Sequence, residues 1–152
     1  MRPVVFLRIA SVLTLIHSIL HTTGGVFSNP DPGISATTWA TMKANEFTVF
    51  GLTRSYFLFY RGLGLGITIF LTAEAIVFWQ LGTLAKSDAV RLRPVMATFM
   101  VAYLVFAANS FMYFFYMPVI VETLIAVCLG MAIVTARSAE LAGAEQLAAR
   151  RA

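Results

Sequence analysis

Charged residues are scarce in this 152-residue chain. Asp, Glu, Lys and Arg make up 12% of it, whereas they make up about a quarter of a typical soluble domain. Hydrophobic residues account for 59% of the sequence, and the mean hydropathy is +0.82. A chain of this composition cannot give a compact fold an ordinary water-facing surface. The shortage of charge therefore excludes a normal soluble domain and indicates an integral membrane protein.

Cysteine is almost absent, and no basic stripe is present. Cys128 is the only cysteine, so no disulfide can form within the chain and the redox compartment is not indicated. The net charge is +4, but the basic residues are scattered at the ends of apolar segments. This scatter argues against a nucleic-acid partner. It is typical of basic residues that are attracted to anionic lipid headgroups.

Four apolar segments are long enough to cross a membrane, which takes roughly 20 residues each. No cleavage site follows the first segment, and histidines interrupt it, so we interpret it as a retained helix rather than a signal peptide. We predict an all-α fold, a single membrane domain built as a four-transmembrane-helix bundle. The predicted spans are about 4–23, 55–82, 94–112 and 117–136, with a long outer loop over 24–52 that carries a short interfacial helix and a cytoplasmic tail over 138–152.

Basic residues are distributed unequally between the two ends of the predicted spans. Lys and Arg are enriched on the cytoplasmic side of membrane proteins. The asymmetry therefore predicts a multi-pass protein with both termini in the cytoplasm. The predicted inner set is Arg2, Arg8, Lys86, Arg91, Arg93, Arg137, Arg150 and Arg151, and the predicted outer set is Lys43, Arg54 and Arg61.

Polar residues inside the spans crowd toward the predicted outer end. Such residues are costly in lipid and are candidates for function. His17, Arg61 and Glu122 fall at similar predicted depths, so we expect them to converge. The candidate catalytic residues are His17, His21, Arg61, Glu122 and Tyr60, and the candidate ligand-binding residues are Arg54, Tyr56, Asn109 and Tyr113.

His17 and His21 form an H-x-x-x-H pair on one helix face. This spacing can hold a metal, but Ser18 stands where the zinc metalloprotease motif has its glutamate. Haem ligation, a hydrogen-bonded seam between helices and acid–base chemistry remain alternatives. The sequence identifies no particular cofactor.

Two further features concern helix packing. Arg8 and Glu74 have matching predicted depths on antiparallel helices, which predicts a structural ion pair, because either charge alone would be costly in lipid. Gly62 and Gly66 form a G-x-x-x-G pair, which predicts close approach of a neighbouring helix from this chain or another copy. The G-x-G-x-G run to which they belong follows no strand, so a phosphate-binding loop is excluded.

Three short motifs carry a resemblance that covers nearly the whole chain. The chain resembles a family of small bacterial four-helix integral membrane proteins that have no established activity. The resemblance implies this architecture and a location in the bacterial inner membrane. The motifs are His21-Thr22-Thr23-Gly24-Gly25, Arg54-Ser55-Tyr56-Phe57-Leu58-Phe59-Tyr60 with the glycines after it, and Trp79-Gln80-Leu81-Gly82.

Two functional hypotheses follow, with transport as a weaker third, since four short helices could form a pathway only as an oligomer. In the first, the outer polar cluster binds or transforms a small lipophilic molecule. In the second, the protein is a non-catalytic subunit or assembly factor of a larger membrane complex, and the polar residues hold helices and partners together. Expected partners are membrane lipid and either copies of this chain or subunits of such a complex.

Overall fold

The computed structural model describes the backbone of residues 3–151 and the side chains of residues 3–136. Arg2 and the side chains from Arg137 onward lie outside these ranges. Part of the predicted charge asymmetry and the predicted tail depend on these residues. The described chain is mostly helical. Its elements are α1 (Pro3–Leu20), a π-helix (His21–Val26), α2 (Ile34–Ala44), β1 (Glu46–Val49), β2 (Leu52–Ser55), α3 (Tyr56–Asp88), α4 (Arg93–Tyr113) and α5 (Tyr116–Arg151).

The predicted helical class with four potential spans is confirmed. Four stretches are long and apolar enough to cross a membrane: Pro3–Val26, Tyr56–Asp88, Arg93–Tyr113 and Tyr116–Ala136. Turn residues and prolines separate them, with Pro94 in the first turn of α4 and Pro118 in the first turn of α5, where a missing N–H costs no hydrogen bond.

The described contacts group into two compact units. The first unit contains residues 3–17 of α1 together with the chain from Thr72 onward. Its core is apolar. The core residues on α5 recur every three or four positions, so one face of that helix is buried. The side chain of Ser11 on α1 donates to the Ala75 carbonyl oxygen on α3 at 2.6 Å. The core residues are Leu7, Ala10, Phe78, Leu81, Ala85, Met96, Tyr103, Ile125, Ala126, Leu129 and Ala132.

The second unit is Ser18–Leu71, and a close helix contact at Gly64 organises it. A Cβ placed on Gly64 would lie 2.9 Å from Cγ2 of Val26, at the end of the π-helix. Cβ atoms placed on Gly62 and Gly66 would have no neighbour within 4 Å. The predicted G-x-x-x-G contact is therefore wrong within this unit, because Gly64 faces the neighbouring helix while Gly62 and Gly66 point elsewhere.

The segment predicted as a loop over 24–52 contains more regular structure than expected. Helix α2 lies in this segment, and its interfacial position stays a prediction. After it, β1 and β2 pair in antiparallel fashion, with Phe47 opposite Arg54 and Val49 opposite Leu52. The all-α prediction missed this hairpin, whose turn is Phe50-Gly51.

Candidate functional site

Glu122 is buried in the first unit. It lies on the same face of α5 as Ile125, Ala126 and Leu129, so the packing of that face carries its carboxyl group into the interior. Its exposed fraction is 0%. A buried carboxyl group in apolar surroundings is costly unless hydrogen bonds or an opposite charge compensate it.

Ser110 supplies one such hydrogen bond. Its hydroxyl donates to Oε1 of Glu122 at 3.0 Å and joins α4 to α5. The second carboxyl oxygen, Oε2, is buried as well and has no hydrogen-bond partner within the described residues. Oε1 is thus held in place by a hydrogen bond, while Oε2 can still accept one.

The structure brings His17 close to Glu122, as the depth argument predicted. Nε2 of His17 lies 3.9 Å from Oε1 of Glu122, which is too long for a direct hydrogen bond but close enough for an electrostatic interaction when the imidazole is protonated. The imidazole also stacks on Phe106, with ring centroids 6.3 Å apart. His17, Ser110 and Glu122 are called the Glu122 cluster below.

Asn109 and Tyr113 do not face the Glu122 cluster. Both are exposed, whereas Ser110, the neighbour of Asn109, is buried. The prediction that they line the same site was based on depth alone, but successive residues of a helix point about 100° apart. Ser110 therefore takes the position that the sequence argument gave to Asn109.

A second buried polar contact joins α3 and α4 in the same unit. The Tyr103 hydroxyl donates to Oε2 of Glu74 at 2.6 Å, and Thr14 lies 3.4 Å from the same hydroxyl. The side chain of Tyr103 is almost completely buried. Because its single proton goes to the carboxylate, the Glu74 bond is the stronger contact.

Tyr103→Phe removes this hydrogen bond and leaves the aromatic packing intact. We expect a loss of about 1–3 kcal/mol in the free energy of unfolding, because the half-buried Glu74 would lose its donor. Denaturant titration in detergent measures this loss. Tyr113→Phe is the matched control, since Tyr113 is exposed. An equal effect of the two variants would contradict a specific role for the Tyr103 hydroxyl.

The predicted ion pair between Arg8 and Glu74 is wrong. The guanidinium of Arg8 lies 3.5 Å from the centre of the Trp79 ring and donates to Thr83 Oγ1 at 2.9 Å, while Glu74 binds Tyr103. Thr83 is nine residues beyond Glu74, which is about 13 Å along a helix. The prediction ended the span at residue 82, but α3 continues to Asp88. The residues beside Arg8 therefore lie further along α3 than Glu74 does.

The remaining predicted residues belong to the second unit. Arg61 lies over the rings of Phe27 and Phe57, at 4.9 and 5.3 Å from their centres. Nε2 of His21 is 3.1 Å from the Gly64 carbonyl oxygen. Arg54, Tyr56 and Tyr60 are exposed. The predicted roles of these residues in catalysis or binding stay predictions.

Comparison with known proteins does not indicate a function for these residues. No family model, curated protein or solved structure matches the chain. Membership in the family of small bacterial four-helix membrane proteins therefore stays a prediction, and the chemistry has to be argued from the side chains.

A metal site at the two histidines lacks protein ligands. Within the described residues, no group of three or more His, Cys, Asp or Glu side chains is placed to hold a metal ion. His21 instead engages a backbone carbonyl. The chemistry that the Glu122 cluster can support is hydrogen bonding and proton exchange, for which imidazole and carboxyl groups are well suited.

Ser110 and Tyr103 were not identified from the sequence. Serine and tyrosine hydroxyls are common in membrane helices, and neither residue belongs to a motif. One signal was available, since Tyr103 and Ser110 are seven residues apart and therefore share one face of α4.

Proposed function

We propose that this chain is a multi-pass protein of a bacterial inner membrane that binds or transforms a small lipophilic molecule at the Glu122 cluster. The four apolar helices support the membrane assignment. An even number of spans supports a location of both termini on the same side of the membrane, and the basic α3–α4 connection supports the cytoplasm as that side.

Oε2 of Glu122 is the observation that carries the proposal. It is a buried oxygen without a hydrogen-bond partner among the described residues, at a position where Oε1 is already fixed by Ser110. Native proteins satisfy most buried polar atoms, so an exception calls for an explanation. A ligand with an apolar body and one hydrogen-bonding group would satisfy this oxygen.

His17 gives the cluster an acid–base partner. Its imidazole lies 3.9 Å from the carboxyl group, and an imidazole ring can both accept and donate a proton. A proton that enters the cluster with a ligand can therefore be held by either group. In this proposal Glu122 anchors the ligand and His17 exchanges a proton with it or with Glu122.

Native mass spectrometry of the protein extracted in mild detergent from its own membrane tests the proposal. We expect a retained small-molecule mass on the wild type and a roughly tenfold or greater loss of it in Glu122→Gln. Glutamine keeps an oxygen that accepts from Ser110, so the fold is maintained. We expect His17→Ala to lose the retained mass as well, with folding intact.

Thr123→Ala is the control, because Thr123 is exposed and bonds only to its own helix. Equal retention by wild type, Glu122→Gln and Thr123→Ala would reject a site at Glu122. A wild-type chain that carries no small molecule would reject ligand binding.

A structural role in a larger complex is the second candidate. The polar contacts of the first unit connect different helices: Ser11 joins α1 to α3, Tyr103 joins α4 to α3, and Ser110 joins α4 to α5. Polar contacts whose role is only to hold membrane helices together also join one helix to another in this way. A chain that leaves the membrane with other subunits, and a His17→Ala variant that lowers yield, would favour this role.

A further inference from the structure

The hairpin of the second unit has an unusual residue at its tip. Phe50 and Gly51, the two central residues of the turn, have φ values of 51° and 77°. Positive φ at both positions is the pattern of a type I′ turn, which favours Asn, Asp or Gly. Phenylalanine at the first of them is a bulky residue in a backbone region that it rarely adopts.

No contact within the described chain compensates for this conformation. The exposed fraction of Phe50 is 100%, and its neighbours Val49 and Leu52 are 49% and 59% exposed. Three apolar side chains therefore stand together at the end of a hairpin whose two strands have four residues each. The described part of the chain leaves all three of these side chains largely exposed.

The hairpin lies against a helix that can span the membrane. The ring of Phe47 is 5.0 Å from Tyr56 and 5.6 Å from Phe59 on α3. Arg54, directly opposite Phe47, lines a shallow groove with Leu58, Phe59, Gly62 and Leu63. One face of the hairpin is thus packed along the first two turns of α3.

Two of the three apolar tip residues, Val49 and Leu52, share that face. Side chains alternate along a strand, so Val49 points to the same side as Phe47, and Leu52 to the same side as Arg54. Thr48 and Thr53 form a hydrogen-bonded pair on the opposite face. One side of the hairpin therefore carries the threonine pair, and the other carries Phe47, Val49 and Leu52 together with Arg54. The second side is the one turned toward α3.

We propose that the tip Val49–Leu52 inserts its apolar side chains into the lipid bilayer at the end of α3. Four residues of β2 separate the turn from α3, which is about 13 Å of extended chain, so the tip stays within reach of the bilayer surface. Lys43 and Arg54 flank the hairpin, and their charge suits anionic headgroups. A tip of this size offers little area for a protein partner.

Tryptophan fluorescence in vesicles tests the insertion. Trp39 and Trp79 are the only natural tryptophans, so Trp39→Phe and Trp79→Phe provide a silent background for Phe50→Trp. The vesicles contain phosphatidylcholine and phosphatidylglycerol, with or without bromine on the acyl chains. We expect a blue-shifted emission, strong quenching by the brominated lipid and weak quenching by iodide in the water.

Thr53→Trp in the same background is the matched control, because it lies on the polar face of the same hairpin. We expect it to be quenched by iodide and little by brominated lipid. Phe50→Trp that is open to iodide and insensitive to brominated lipid overturns the proposal. Protection from both quenchers also overturns it, since it indicates a protein contact.

A second label guards against misfolding of the tryptophan variant. Phe50→Cys in a Cys128→Ser background carries a spin label, whose collisions with oxygen and with a water-soluble nickel chelate report its depth. Greater relaxation by oxygen supports insertion, and greater relaxation by the chelate overturns it.

Discussion

Ser110→Ala is expected to destabilise the protein by about 1–3 kcal/mol, because it removes the only described donor to a fully buried carboxyl group. Glu122 would then remain in the interior with neither oxygen hydrogen-bonded by a described residue. Adding Glu122→Leu should recover much of this loss, since leucine fills similar space and needs no hydrogen bond. Denaturant titration of the two single variants and the double variant gives the coupling energy of the pair.

Asn109→Ala is the matched control for this cycle. Asn109 is the neighbour of Ser110 on α4, but it is exposed, so its replacement should change stability little. Additive effects of Ser110→Ala and Glu122→Leu would contradict an energetic link between the two residues. A Glu122→Leu variant that is more stable than the wild type would mean that the carboxyl group costs stability, as groups retained for function often do.

Hydropathy was enough to predict the four helices, because a bilayer demands about 20 apolar residues for each span. The approach of His17 to Glu122 also followed from counting residues along antiparallel helices. Counting depth gives no rotation about the helix axis, however. This is why Asn109 was chosen in place of Ser110, and why Glu74 was matched with Arg8 when it binds Tyr103.

The π-helix at His21–Val26 and the hairpin were harder to predict. The extra residue in a π turn leaves no simple periodic signal, although Gly24 and Gly25 weaken the helix there. In the hairpin, Phe50 occupies the turn position at which Asn or Asp usually indicates a hairpin in the sequence. Both features lie in the second unit, where tertiary contacts such as Val26 against Gly64 and Phe47 against Phe59 decide the local structure.

Gly64→Ala is the second change with a large expected effect. The added methyl group would lie 2.9 Å from Cγ2 of Val26, closer than van der Waals contact permits. Valine is stiff at χ1, and Val26 is buried, so the backbones have to move apart. The movement also threatens the contact between His21 and the Gly64 carbonyl oxygen. We expect a loss of about 1–3 kcal/mol, measured by denaturant titration.

Gly62→Ala and Gly66→Ala are controls on the same helix. A Cβ at either position meets nothing within 4 Å, so alanine should stabilise α3 by about 0.5–1 kcal/mol through its helix propensity. Val26→Ala removes the atom that clashes, and in that background Gly64→Ala should cost far less than in the wild type. Equal effects at the three glycines would place the close approach elsewhere, whereas relief by Val26→Ala ties it to the end of the π-helix.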